Sequence, residues 1–247
     1  DAASLTELTP ETARTLAAEF SGVRVDLPWW GPEVPDAMLP LNGLTSLSTA
    51  SAQALAAYDR GPLLLDGLTT LSTDTARALA GFRGGGLSLG GLATLSTENA
   101  RALATFRGHM LWLNGLTTLS EDAAQALSEW QGSGLTFDRL TTLSAGAARA
   151  LASFKGKILS VCGVTALPAD VAEEIAGFRG AVLSLAGLKT LSPDTARSLA
   201  TFKGHSLHLD GLVALDEDAA RSLAASRGRQ LLLNGLTTVS ADAARAL

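Results

Sequence analysis

Leu87-Ser88-Leu89-Gly90-Gly91-Leu92-Ala93-Thr94-Leu95-Ser96 decides the architecture of this chain. The Gly-Leu pair inside it recurs at Gly43, Gly67, Gly91, Gly115, Gly187, Gly211 and Gly235. Arg139 and Gly163 hold the two slots in between, so the 24-residue period is unbroken. A repeat of this length, half strand-like and half helix-like, cannot bury its apolar side alone and must stack on copies of itself. The 247 residues are therefore expected to form one elongated solenoid whose core runs along its axis, not the one or two globular domains that length alone would allow.

Within a repeat, a short strand comes first, as in Leu63-Leu64-Leu65, Leu111-Trp112-Leu113 and Leu207-His208-Leu209. Its flanking positions are apolar throughout, the period-two mark of a half-buried strand. Asn42-Gly43, Asp66-Gly67, Asn114-Gly115, Asp210-Gly211 and Asn234-Gly235 then turn the chain. Glycine takes positive φ at little cost and Asx side chains bond nearby backbone, so Arg139 in a glycine slot is expected to mark a strained or rearranged turn.

A helix follows, with an N-cap at Ser48, Ser72, Ser96, Ser120, Ser144, Ser192 and Ser240, and at Asp216 in one repeat. Pro193 takes the favoured first helical position, and Asp74, Glu98, Asp122, Asp170, Asp194, Asp218 and Asp242 place negative charge where the helix dipole favours it. Pro168 sits in one cap slot, where Asp170 is expected to cap a slightly shifted helix. Ala76, Leu79 and Phe82, repeated as Ala100, Leu103 and Phe106, form one apolar stripe, and each buried Leu or Phe should contribute roughly 2 kcal/mol. Arg83-Gly84, Arg107-Gly108, Lys155-Gly156, Arg179-Gly180, Lys203-Gly204 and Arg227-Gly228 read as a C-terminal cation followed by a C′ glycine.

The two ends depart from the pattern. Leu5 to Phe20 is a divergent helical half opened by Thr9-Pro10-Glu11. The interval from Phe20 to Leu44 is much longer than the matching one from Phe82 to Leu92, and the excess includes Leu27-Pro28-Trp29-Trp30-Gly31-Pro32 and Pro35. Prolines and paired indoles make this a loop, read first as an end cap and alternatively as a binding loop. The division expected is residues 1–38 as divergent repeat and capping insertion, and 39–247 as nine 24-residue repeats with the last incomplete. That last copy stops at Ala244-Arg245-Ala246-Leu247 inside its own helix, which points to a truncated chain, a missing cap or continuation. The opening Asp1-Ala2-Ala3-Ser4 shows no signal peptide and fits either a removed leader or a chosen boundary.

Bulk properties narrow the function classes. A net charge of −5 argues against nucleic-acid binding, which favours a basic stripe. No run approaches the uninterrupted apolar length of a membrane span. Cys162 is the only cysteine, so no internal disulfide forms; a secreted or cell-surface location and a cytoplasmic one both remain open. Aromatics are 5% of a chain rich in Ala and Leu, which suits thin, closely stacked layers.

Leu87-Ser88-Leu89, followed by a turn and a helix, resembles the strand-plus-helix unit of the leucine-rich repeat family over residues 39–247. Ala76-Arg77-Ala78-Leu79-Ala80 is similar to the helical piece of bacterial repeats with a Gly-Ala-Leu-Ala-type segment. Family members usually carry Asn three residues after the second strand Leu; Leu92, Leu116 and Leu188 stand there in this chain, so its turns must be closed in another way. The resemblance implies a curved α/β solenoid, a parallel sheet on the concave side and short helices on the convex side, used most often for protein recognition. It carries over no catalytic residue.

Stacked strands would place equivalent residues in ladders about 4.8 Å apart. One ladder on the concave face runs Pro40, Leu64, Ser88, Trp112, Thr136, Ser160, Ser184, His208, Leu232; its neighbour runs Met38, Pro62, Gly86, Met110, Gly134, Ile158, Val182, Ser206, Gln230. Trp112 with Met110 is the best candidate anchor for a protein or peptide ligand, followed by His208 and the inserted Trp29 and Trp30. His205 and His208 share a strand but point to opposite faces, and His109 is four layers away, so no metal site is expected. Asp66, Asp138 and Asp210 lie three layers apart, roughly 14 Å, beyond the reach of a paired-carboxylate site. Cys162 has no histidine beside it, and Arg77, Arg101, Arg149, Arg197, Arg221 and Arg245 alternate with acids on a solvated helix face. The reading is a non-enzymatic recognition or scaffold module without cofactor or metal, acting through the concave face. The alternative is a structural protein that self-assembles through its solenoid ends.

Overall fold

The computed structural model describes residues 2–21, 23–24, 37–226 and 230–246. Strand β1 (Val23–Arg24) pairs antiparallel with β2 (Ala37–Pro40), Val23 opposite Met38. From β2 the sheet is parallel through β3 (Leu63–Leu64), β4 (Gly86–Ser88), β5 (Met110–Trp112), β6 (Gly134–Thr136), β7 (Ile158–Ser160), β8 (Val182–Ser184) and β9 (Ser206–His208). After β10 (Ala214–Leu215) comes β11 (Gln230–Leu232), which adds the ninth parallel strand, and β12 (Thr238–Val239) pairs with β10 in a short second sheet. Leu63, Leu87, Leu111 and Leu135 stand opposite one another, so the strand register reproduces the period of the sequence. The chain is a leucine-rich α/β solenoid.

A helix follows each parallel strand and packs on the helices of the neighbouring layers. Paired strands are about 4.8 Å apart, whereas packed helix axes need about 8–10 Å. One repeat cannot satisfy both spacings in a straight stack, so the rod bends with the sheet on its inner side. Leu39, Leu63, Leu87, Leu111, Leu135, Leu159 and Leu183 are wholly buried, as are Leu41, Leu65, Leu89 and Leu113, and they meet Leu55, Leu79, Leu103 and Leu127 from the helices in one continuous core.

The caps follow the sequence. Ser72 Oγ accepts from Thr75 N at 3.2 Å, Ser144 Oγ from Ala147 N at 3.1 Å and Asp216 Oδ1 from Ala219 N at 2.7 Å. Pro168 is different: it holds the N-cap of helix Ala169–Ala176 with no side-chain bond, and Asp170 lies in the first turn. That helix begins one full repeat after the preceding helix, which starts at Ala145, so no shift occurs; the fixed φ of proline supplies the extended cap geometry instead.

The glycines do a different job from the one expected. None of the turn glycines has a left-handed φ. What they provide is clearance between layers: a Cβ on Gly67 would stand 2.2 Å from the Asn42 carbonyl oxygen, and one on Gly187 would stand 1.8 Å from that of Cys162. Arg139 nevertheless keeps the two-residue turn of the other layers, with a Cβ in a slot where they have none. The stacking above it is rearranged: an added Cβ on Gly163 would meet the Arg139 carbonyl carbon and Leu140 N, where other layers present the oxygen of the preceding residue.

The Arg-Gly and Lys-Gly pairs are not helix C-caps either. Helix Thr73–Ala80 ends on Gly81 in αR geometry, and Phe82 follows outside the helix. Gly84, Gly108, Gly156, Gly180 and Gly204 sit beneath the phenylalanine two residues earlier, where an added Cβ would come within 2.1–2.3 Å of its Cζ. Freed by those glycines, Tyr58, Phe82, Phe106, Trp130, Phe154, Phe178 and Phe202 form an unbroken stack with centroids 5.8–6.3 Å apart and planes within 8°. Trp130 satisfies its indole N–H on the Phe106 carbonyl at 2.7 Å. The hydroxyl of Tyr58, buried at the first position of the stack, has no hydrogen-bond partner.

Candidate binding face of the sheet

The residues between the core leucines do line one face, and the strand register sets them side by side: Ser88 opposite Trp112, Trp112 opposite Thr136, Ser160 opposite Ser184, Ser184 opposite His208. This face is flatter than a row of projecting side chains. Trp112 is 7% exposed, and Ser88, Thr136 and Ser160 are buried as well. The indole lies across Gly86, where an added Cβ would stand 2.3 Å from both Cη2 and Cζ3. Met110 lies the other way, over Gly134, with Sδ and Cε at 2.5 and 2.6 Å from the position a Cβ would take. Bare backbone in the adjacent layers thus lets two large side chains fold down onto the sheet. Met110 and His208 remain half-buried. Trp29 and Trp30 lie outside the described residues.

The turn side of the face carries an acceptor ladder. Asn42 Oδ1 accepts from Asp66 N at 3.1 Å, Asp66 Oδ1 from Gly90 N at 2.7 Å and Asp210 Oδ1 from Asn234 N at 3.1 Å. Each bond crosses from one layer to the next, so the Asx side chains lace the stack and do not close their own turns. The hydroxyls of the face enter the same network: Ser88 Oγ donates to Asp66, and Thr136 Oγ1 donates to Asn114 Oδ1 at 2.6 Å. Asp138, which faces Ser160 Oγ at 3.5 Å, has its carboxyl raised above the usual range by loss of solvent, partly offset by that hydroxyl. Cys162 Sγ sits between Ser160 Oγ at 3.1 Å and Ser184 Oγ at 3.2 Å. The recurrence of Asx at this place, in six layers of nine with Gly90, Cys162 and Ala186 in the others, is the ladder's signal in the sequence.

Among the described residues no group of three or more His, Cys, Asp or Glu is placed to hold a metal ion. His205 precedes β9 and is exposed, so it does not share a strand with His208 as their spacing suggests. No described helix is long and apolar enough to cross a membrane.

The helix side is held by ion pairs. Arg77 meets Asp74 at 2.9 Å, Arg197 meets Asp194 at 2.6 Å, Arg245 meets Asp242 at 2.7 Å, and Arg221 reaches both Asp218 and Glu217. Arg149, whose helix has no acid in its first turn, reaches instead into the next layer, where Nε and Nη2 hold the two Glu174 oxygens at 3.0 and 2.5 Å. The Arg149 hydrogen bond holds the Glu174 carboxyl below its ordinary value, and Glu174 raises the guanidinium in turn.

No family model matches this chain, and no curated protein matches it. Among solved structures, the chain is similar to an internalin from Listeria monocytogenes str. 4b F2365 at 13% identity and a TM-score of 0.49. The match covers 82% of this chain and 60% of the internalin chain.

Proposed function

We propose that this solenoid is a non-enzymatic recognition or scaffold module that binds a protein or peptide across the inner face of its sheet. The observation that supports this most is the face itself. It offers Leu64, Met110, Ile158, Val182 and the seated edge of Trp112 on a hydrogen-bonded sheet, with no charged side chain in the two central ladders from β3 to β9. Such a surface loses little conformational freedom on binding, which favours affinity at a given contact area. Peptides selected against the protein from a display library test the reading. Met110→Glu and Ile158→Glu should each abolish binding, while Arg77→Glu on the helix side should leave it intact. Loss through Arg77→Glu alone would place recognition elsewhere.

The second reading is self-association through a solenoid end. It is favoured by β11, whose outer edge pairs with no other described strand, and by Leu231, Leu232, Leu233 and Leu236, which are only partly buried. At the other end β1 occupies the outer edge of β2. Two copies meeting through their β11 edges would form a closed pair. Sedimentation velocity across concentration should then show a dimer that Leu232→Lys dissociates; a strict monomer at all concentrations excludes this reading.

A further inference from the structure

Two rows of cations run along the solenoid, and their surroundings differ. On the helix face Arg77, Arg149, Arg197, Arg221 and Arg245 are each paired with an acid, and Arg101 alone in that row has no ion pair among the described residues. The second row lies where each helix hands over to the next strand: Arg83, Arg107, Gln131, Lys155, Arg179 and Lys203. All six are exposed, and among the described residues none of the five cations in this row has an ion pair. Each directly follows a ring of the aromatic stack, whose layers step by 5.8–6.3 Å. The row is therefore a regular ridge with about one positive charge per layer, interrupted once at Gln131.

The net charge of −5 hides this ridge because most acids lie away from it, Glu129 beside Gln131 and Glu173, which shares a surface hollow with Arg179 and Lys203, being exceptions. Asp74, Asp194 and Asp218 stand in the first turns of helices of seven or eight residues. Such a helix is about 11–12 Å long. The screening length at physiological salt is about 8 Å, so these first-turn acids are largely screened from a ligand lying along the ridge.

We infer that this ridge binds a linear acidic polysaccharide, one carrying a carboxylate or sulfate on successive sugars. The neighbouring strip supplies hydroxyls, Thr105, Ser153 and Thr201, each donating to a carbonyl of its own helix and leaving lone pairs for sugar hydroxyls. A single-stranded nucleic acid would need exposed aromatic rings on which bases stack. Here the rings are next to the cations but buried to 2% exposure or less. A lipid surface would favour apolar side chains able to insert; among the described residues Val213 and Val239 are the exposed large hydrophobics, and neither is in the ridge.

Binding of polygalacturonate to the full chain, followed by affinity electrophoresis and calorimetry, tests this. The expected result is binding that weakens steadily with salt and falls about a hundredfold in Arg107→Gln/Lys155→Gln/Arg179→Gln. Arg77→Gln/Arg197→Gln should leave it unchanged, and a charge-keeping Arg107→Lys/Arg179→Lys chain should retain it. Unchanged thermal melting of each variant separates lost binding from lost fold. Three outcomes overturn the assignment: no binding of polygalacturonate at low salt, equal loss in the Arg77/Arg197 variant, or equally tight binding of oligothymidylate or phosphatidylserine vesicles.

Discussion

Trp112 lies flat because Gly86 has no side chain. The two are one layer apart and diagonal in register, and a Cβ on Gly86 would come within 2.3 Å of the far edge of the indole. In Gly86→Ala the indole must therefore lift from the sheet. Overpacking of this kind costs about 1–3 kcal/mol. In a chain where Trp112 is the only tryptophan retained, the emission maximum should move to the red and acrylamide quenching should rise. An unchanged spectrum would mean that the backbone yields instead.

The aromatic stack should respond in two steps at Trp130. Trp130→Ala removes a ring stacked between Phe106 and Phe154 and should cost about 3–5 kcal/mol in chemical denaturation. Trp130→Phe keeps the stack and loses the indole bond to the Phe106 carbonyl, so its cost should be smaller, about 1–3 kcal/mol. Equal costs for the two would assign the stability to the hydrogen bond.

Clearance and conformation can be separated at the turns. Gly187→Ala puts a methyl against the Cys162 carbonyl and should cost more than about 3 kcal/mol, if it folds at all. Arg139→Gly adds backbone entropy to the unfolded chain, so it should be near neutral or destabilising by about 1 kcal/mol. A strongly stabilising Arg139→Gly would show that this turn is strained after all.

Tyr58 carries the buried hydroxyl without a partner. Tyr58→Phe removes an unsatisfied polar group and should stabilise the fold by about 1–3 kcal/mol near neutral pH. Burial raises the phenol above its ordinary value of 10.0, opposed by Arg60. A raised folded-state pKa means that stability held below pH 10.0 is lost as pH climbs through the folded value. The parent chain should therefore weaken above that pH relative to Tyr58→Phe, measured by urea midpoints across the range. Parallel midpoints would show that the phenol does not titrate with folding.

The repeat, the strand-turn-helix order and the serine caps are legible because each rests on residues close together in one copy. What is not legible depends on the distance between copies. Recurrent glycines at 67 and 84 look like conformational switches, but their duty is to admit a carbonyl or a ring from elsewhere, and spacing along the chain does not report clearance. Trp112 promises an exposed anchor; its burial depends on Gly86, which belongs to the preceding layer. The alternation Gly86, Met110, Gly134 in one ladder holds the clue, since large residues beside bare backbone can fold over it. The unpaired ridge reads as helix capping because a cation before glycine at a helix end has that meaning in an isolated helix.

Bonds and rings alike step by one whole repeat. Excising residues 145–168 would join Ser144 to Ala169, still a cap before a helix, and would set Trp130 beneath Phe178 as it now sits beneath Phe154. An excision of half a repeat would join a helix start to a strand and leave every acceptor facing the wrong donor. The molecule is a ruler graduated in whole layers, and its length can change by tandem duplication or loss while the caps, the rings and the core leucines keep partners of the same kind.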